Sequence, residues 1–276
     1  MESDHPLRAL AALSEEYSAT LELLSDNEAA VDITITMPGD RLQQYLLLFK
    51  ANGDRVSAEE RAPNRLPIHC VERHINHDST FCLAWQGDCA TSVTDIESAR
   101  AWWTRLVRFL HLQEAASKLR RWPAPANARA HGDAAIFQAE AERLALVLGQ
   151  QFALSLRNGK LSVDHDQRKF NPRVELYREN KRIARIFLKT MDLVTLATPC
   201  PCDDSMAVPT PIGACGNHAQ SLAAFILAQY RWMTLEKQFI EDLITSGTRC
   251  CGTLTACPLP SSHPMRTVDM KGHHDE

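Results

Sequence analysis

The chain has 276 residues, 45% of them hydrophobic, and a formal net charge of −4, which is enough apolar material for one large or two modest folded domains. Lys and Arg number 30 against 34 Asp and Glu, so no basic excess favours nucleic acid, and no apolar run reaches the roughly 18 residues a membrane helix needs. The opening residues "MESDHPLRAL" carry acid rather than base, so no secretory signal is expected and the expected compartment is cytoplasmic; nine cysteines, an odd count, then argue against a disulfide framework.

"SDHPLRALAALSEEYS" reads as a short helix, with Asp4 as its cap and Pro6 in its first turn. "ATLELLS" follows. "AVDITITM" then alternates, with Val31, Ile33, Ile35 and Met37 on one face, as in a half-buried antiparallel strand. "PGD" turns the chain into a further strand, "LQQYLLLFKA", and "NGD" at 52–54 is another turn signal. These elements predict a helix followed by an antiparallel meander. Residues 64–90 have no sustained period and are expected to form an ordered loop.

"DIESARAWWTRLVRFLHLQEAASKLRRW" predicts a long helix whose apolar stripe is Ala99, Trp102, Trp103, Leu106 and Leu110. Arg100, Arg105, Arg108, Arg120 and Arg121 would form its solvated basic face. "WPAPANARAHGD" breaks the pattern. A second helix, 133–148, should bury Ala134, Phe137, Ala141, Leu144 and Leu148, with Gly149 ending it. "FALSLRNGKLSV" reads as a hairpin on Asn158-Gly159, and "VELYRENKRIARIFL" as two strands around "ENK". Cysteine-rich loops flank a helix from about His218 to Ser246, and a polar tail closes the chain. The expected fold class is α+β, in three segments: 1–150, a 151–260 α+β extension, and a disordered 261–276 tail.

Two stretches carry chemistry. The first is "RHINHDSTFCLAW", 73–85. Taken alone, Cys82 between Phe81 and Leu83 is a core thiol by default, because free cysteine is among the most buried residue types. His74 and His77 lack a paired-ligand spacing with Cys82 for a metal. The element order and the stretch "LPIHCVERHINHDSTFCLAW" together resemble the ubiquitin-conjugating-enzyme family. In that family a His-Pro-Asn tripeptide precedes an active cysteine followed by Leu; His74-Ile75-Asn76 and Phe81-Cys82-Leu83 stand in those places. Ile75 replaces the usual proline, and the spacing from Asn76 to Cys82 is shorter than in the eukaryotic enzymes. The wording is most similar to the bacterial branches found in antiphage cyclic-oligonucleotide (CBASS) or ubiquitin-like operons, over roughly residues 1–150.

The resemblance implies that Cys82 carries an acyl group as a thioester, for which cysteine is both a good nucleophile and a fair leaving group. It implies that Asn76 orders the loop and stabilises an oxyanion. His74 is expected to brace the loop, and Asp78 is a candidate to orient or deprotonate an incoming lysine, or simply to turn the loop. Cys70 in "PIHC" is the rival nucleophile. The implied partner is a protein joined through its C-terminus, a nucleotide cyclase or a ubiquitin-like protein; no nucleic-acid or membrane partner is expected. The chain has no Gly-rich nucleotide loop, so activation would come from another protein, or the system would work without it. A non-catalytic interaction module of the same fold and a cysteine hydrolase are the alternatives.

The second stretch is "TPCPCDDSMAVPTPIGACGNH". Cys200 and Cys202, then Cys215 and His218, make a plausible tetrahedral ligand set, and Cys250, Cys251 and Cys257 downstream could replace His218 or complete the site. A structural zinc would constrain loops this poor in apolar residues. No His-Glu-x-x-His motif or comparable open site points to a catalytic metal, and no cofactor is expected for catalysis.

Overall fold

The computed structural model describes residues 5–62, 65–84, 92–123, 129–166, 170–202 and 210–261. Asp4 and the tail beyond Ser261, singled out above, lie outside the described residues, as does Cys89. The chain forms two compact units, one from residues 1–123 with 242–276, the other from 124–241.

The first unit begins with α1 (Pro6–Ala11) and a 3-10 turn over Ser14–Tyr17. β1 (Ala19–Leu23), β2 (Glu28–Met37), β3 (Arg41–Asn52) and β4 (Arg55–Glu60) follow as a four-stranded antiparallel meander in sequence order. The turn between β3 and β4 has two residues, Gly53-Asp54, and Gly53 takes the positive φ of 62° that this tight connection needs. Val31, Ile33, Ile35 and Met37 of β2 are buried, as their alternation predicts. They share one apolar core with Tyr45, Leu47 and Phe49 of β3 and with Leu7 and Leu10 of α1.

The lid on this core is α2 (Ile96–Leu119). Asp95 and Ser98 cap it reciprocally: the Asp95 carboxylate accepts from the Ser98 N–H at 2.7 Å, and Ser98 Oγ accepts from the Asp95 N–H at 3.0 Å. The helix stops at Leu119, three residues short of the predicted end, because Arg120 turns into the left-handed region. Trp102 and Trp103 are fully buried, and each indole N–H finds a backbone carbonyl, Val56 at 3.1 Å and Leu10 at 3.0 Å. One helix is thereby tied to both β4 and α1.

The second unit contains α3 (Ala134–Val147), α4 (Gln150–Arg157) and the antiparallel sheet β5 (Leu161–Asp166), β6 (Arg173–Arg178) and β7 (Lys181–Phe187), then α5 (His218–Thr245), whose last residues count with the first unit. Three expectations need correction. The boundary does not fall near residue 150, because Ala141, Leu144, Ala145 and Leu148 of α3 pack into the same core as β5–β7 and α5. Residues 150–157 are helical, so Asn158-Gly159 is a helix stop and not a hairpin turn. The Gly159 N–H bonds Leu156 O at 3.0 Å and the Lys160 N–H bonds Ser155 O at 2.9 Å, with Gly159 at φ 67°, a left-handed cap. Phe137, expected to be buried, is only half-buried, and Gln138 beside it is buried instead. The turn around "ENK" forms as read, with Glu179 and Asn180 both at positive φ.

Trp103→Phe should cost about 1–2 kcal/mol, since the Leu10 carbonyl loses its buried donor. Leu119→Ala, at a half-exposed position, should stay within about 0.5 kcal/mol. Denaturant unfolding of the two variants checks the order.

Candidate functional site

The stretch between β4 and α2 is ordered by a small hairpin. Ile75 bridges Phe81, the Asn76 N–H bonds Thr80 O at 2.8 Å, and the Cys82 N–H bonds His74 O at 2.8 Å. His74-Ile75-Asn76 is one arm, Thr80-Phe81-Cys82 the other, and His77-Asp78-Ser79 the turn, with Ser79 at φ 69°. The Phe81 N–H donates to Ala58 O at 2.8 Å, which docks the second arm on the edge of β4. Ile75 and Phe81 point inward, 1% and 5% exposed, and Phe81 stacks on Phe109 of α2 at 4.8 Å. By the alternation of a pleated ribbon, Asn76 and Cys82 then share the outer face, on diagonal positions about 7–8 Å apart.

A second anchor fixes the first arm. Arg73 is buried, and its Nε donates to Gln113 Oε1 at 2.7 Å while its guanidinium also donates to Gln113 O at 3.0 Å. Gln113 Nε2 returns a bond to Arg73 O at 2.5 Å. Sequence reading missed this pair, because an arginine next to a loop and a glutamine on a helix look solvated until their positions in space are known.

Asn76 is exposed, and its Nδ2 donates to Thr80 Oγ1 at 3.0 Å. Thr80 Oγ1 in turn donates to Asp78 Oδ1 at 2.6 Å, and the Thr80 N–H bonds the same oxygen at 3.0 Å. Those bonds hold the Asp78 carboxyl below the usual carboxylate range, the Thr80 hydroxyl contributing most. Asp78 is thus the turn-forming residue of the hairpin, and Thr80 links it to Asn76. The Asp-Ser-Thr order was the available sequence signal for that link, since an aspartate bonding two residues onward is a common turn device. His74 sits at φ 55° with its ring against Trp122 at 4.9 Å, a bracing position.

Cys82 is half-buried, and its sulfur lies 3.9 Å from the Ala84 carbonyl. Burial pushes its thiol up from the ordinary value. Cys70 is 3% exposed and packs with Ala116 and Leu254, its sulfur 2.8 Å from that of Cys251. The bond to Cys251, then burial, drives the Cys70 thiol far above the normal range, while the same contact and the Thr253 hydroxyl hold Cys251 down at about 5. Of the two rival cysteines, Cys70 is the enclosed one and Cys82 the one on a hairpin face.

The second unit brings four predicted ligands together. Cys200 follows the bridge between Pro199 and Pro211, Cys215 ends a 3-10 turn over Ile212–Ala214, and His218 opens α5. Cys200 Sγ lies 3.2 Å from Cys202 Sγ and 3.3 Å from His218 Nδ1; Cys215 Sγ lies 3.6 Å from Cys202 Sγ and 3.2 Å from His218 Nδ1. All four ligand atoms fall within 4.8 Å of one another, so the set could hold a metal ion. A tetrahedral zinc with bonds of about 2.3 Å would place its sulfurs about 3.8 Å apart, close to this spacing. Gly149 makes room for it: at φ 113°, a Cβ there would meet the Cys202 carbonyl oxygen at 3.1 Å. Cys250, Cys251 and Cys257 take no part in this set; they belong to the other unit, where Cys251 meets Cys70. His131 is bonded to Glu236, Nδ1 to Oε1 at 2.5 Å, and stacks on Phe239.

Gln113→Leu should destabilise the protein by about 2–3 kcal/mol, as a hydrogen-bonded charged group loses its partner. Amide exchange between residues 73 and 82 should rise together with the drop in melting temperature; unchanged exchange there would deny Arg73 its anchoring role.

Residues 17–124 match the family model described as "Prokaryotic E2 domain", and residues 130–259 match "Cysteine-rich domain, C-terminal to E2 domain". No curated protein and no solved structure is matched by the chain. The meander, the helical lid and the cysteine hairpin all lie in the first match, and the four-ligand cluster lies in the second. The chain is therefore a prokaryotic E2-like protein, an E2 domain followed by its cysteine-rich domain.

Proposed function

We propose that this protein is a ubiquitin-conjugating-like acyl carrier whose working thiol is Cys82. The observation that carries the reading is the hairpin: within the E2 domain it puts a half-exposed thiol and an exposed asparagine amide on one face. Cys82 Sγ would attack the activated C-terminal carbonyl of a partner protein, a ubiquitin-like protein or an antiphage nucleotide cyclase. The bond to the activating group breaks and a thioester forms. An amine then attacks that carbonyl, the C–S bond breaks, and the thiolate leaves. Asn76, whose amide bonds Thr80, would donate to the oxyanion of the second step. Asp78 is close in the chain to receive a proton from the amine, although its carboxylate is engaged by Thr80.

A carrier of this kind needs no tightly coupled base, because the carbonyl it attacks is already activated. The surroundings of Cys82 suit that requirement better than a hydrolase, since burial, rather than a charged partner, sets its thiol. The same burial is the observation that favours the second reading, a docking module of this fold that does no chemistry. In the cysteine-rich domain, the Cys200, Cys202, Cys215 and His218 set would hold a structural zinc, which would be closed to substrate and would fix the loops between β7 and α5.

The test is a gel of the full chain incubated with a candidate partner and its activating protein. A thiol-sensitive adduct lost in Cys82→Ala and kept in Cys70→Ala is expected. Asn76→Ala should still load but discharge to amine about 10-fold or more slowly, the scale of losing one oxyanion donor. An adduct that survives Cys82→Ala assigns the wrong thiol, and no adduct in any condition favours the docking module. The raised Cys82 thiol also gives a pH signature: iodoacetamide should label Cys82 slowly at neutral pH, with the rate still rising above pH 9 as the thiolate forms.

A further inference from the structure

Three cysteines at the end of the chain are left over from the four-ligand cluster, and one buried cysteine is left over from the E2 hairpin. The fold brings all four into the first unit. Cys70 is followed directly by the 3-10 turn Val71–Arg73 that leads into the hairpin. Cys250, Cys251 and Cys257 come from a segment without regular secondary structure, whose apolar anchors are Leu254 and Leu259. We propose that Cys70, Cys250, Cys251 and Cys257 form a second, all-thiolate zinc site that fastens the C-terminal segment of the cysteine-rich domain to the E2 domain.

Four observations support it. Cys251 Sγ lies 2.8 Å from Cys70 Sγ, inside the van der Waals contact of two sulfurs, and the Cys257 thiol hydrogen-bonds that of Cys250. The two pairs are joined through the chain, since Cys250 and Cys251 are adjacent residues. The Gly252 N–H points at Cys250 Sγ at 3.3 Å, with Gly252 at φ 74°, so a Cys-Cys-Gly turn presents a backbone donor to sulfur, as a metal-bound thiolate requires. Finally, part of the charge is offset. Zinc with four thiolates carries a net charge of about −2, and the buried guanidinium of Arg73, three residues after Cys70, supplies one positive charge in the same unit. A redox pair of Cys70 with Cys251 would explain two of the four sulfurs; one ion explains all of them.

The sulfur contacts run in two pairs, Cys70 with Cys251 and Cys250 with Cys257. Closing the site requires the thiols to turn toward a common centre, each thiol still protonated giving its proton to solvent as its bond to zinc forms. The segment is already held close for this: Thr255 donates through both its N–H and its hydroxyl to the Arg120 carbonyl that ends α2, at 2.9 and 3.0 Å. Leu254 packs with Cys70 and Ala116. The inference does not depend on the thioester reading of Cys82, because its readout is metal.

The experiment is metal analysis of the full-length protein, expressed with zinc and purified in reductant, with site-specific variants. Two zinc ions per chain are expected. Cys257→Ser and Cys70→Ser should each remove one, Cys202→Ser should remove the other, and Cys202→Ser with Cys257→Ser should remove both. A metal content unchanged by both Cys70→Ser and Cys257→Ser overturns the proposal. Because a variant can fail to fold, the wild type is also treated with N-ethylmaleimide before and after chelation and mapped by mass spectrometry. Cys70, Cys250, Cys251 and Cys257 protected until zinc is withdrawn supports the site. Cys250 and Cys257 labelled in the zinc-loaded protein, or a Cys70–Cys251 disulfide in protein never exposed to oxidant, rejects it.

Discussion

The reciprocal pairing of Arg73 with Gln113 is the constraint on which the cysteine hairpin depends. A buried guanidinium is tolerated only if its donors are filled, and here one residue on α2, Gln113, accepts through its side-chain oxygen and its backbone carbonyl and gives back a bond from its amide to the Arg73 carbonyl. The pair therefore fixes backbone as well as side chain, just before the first hairpin arm. Phe81 on Phe109 fixes the other arm on the same helix. Since α2 is itself tied to β4 and α1 through its two tryptophans, the position of Cys82 is referred to the whole sheet and not to its own loop.

The meander and the lid were legible in the sequence because their periods are strong. β2 alternates from Val31 to Met37, and the Trp102-Trp103 stripe has a polar opposite face. "QQFALSLRNG" was misread for a specific reason: Asn-Gly serves both as a hairpin turn and as a helix stop, and a stretch of eight residues is too short for its period to decide. The boundary near 150 failed because a helix with one apolar face does not announce which sheet it covers. At the hairpin, the cysteine and asparagine were visible as residue types, and their place in the family pattern pointed to them. What could not be read was that Thr80 bridges Asn76 and Asp78, or that the two arms pair face to face.

The cysteines divide in space differently from the way they divide along the chain. Six of the nine lie between residues 200 and 257, which suggests one centre. Yet only Cys200, Cys202 and Cys215 of these gather around His218, while Cys251 meets Cys70, 181 positions earlier. A loop of this length is inexpensive to close, because closure entropy grows only with the logarithm of loop length. The matched cysteine-rich domain thus ends among residues of the E2 domain's own compact unit.

The hairpin also limits how the chain can change length. Asn76 and Cys82 share a face because Ile75 pairs with Phe81 and both turn inward, which leaves the residue on the far side of each outward. A residue inserted within an arm, between Ile75 and Asn76 or between Phe81 and Cys82, would exchange the faces beyond it and bury the amide or the thiol. A residue added to the turn 77–79 only lengthens the loop and leaves the pairing of the arms unchanged. The arms are thus fixed in length while the turn is free to vary, and the short separation here is a short turn and not a shortened arm.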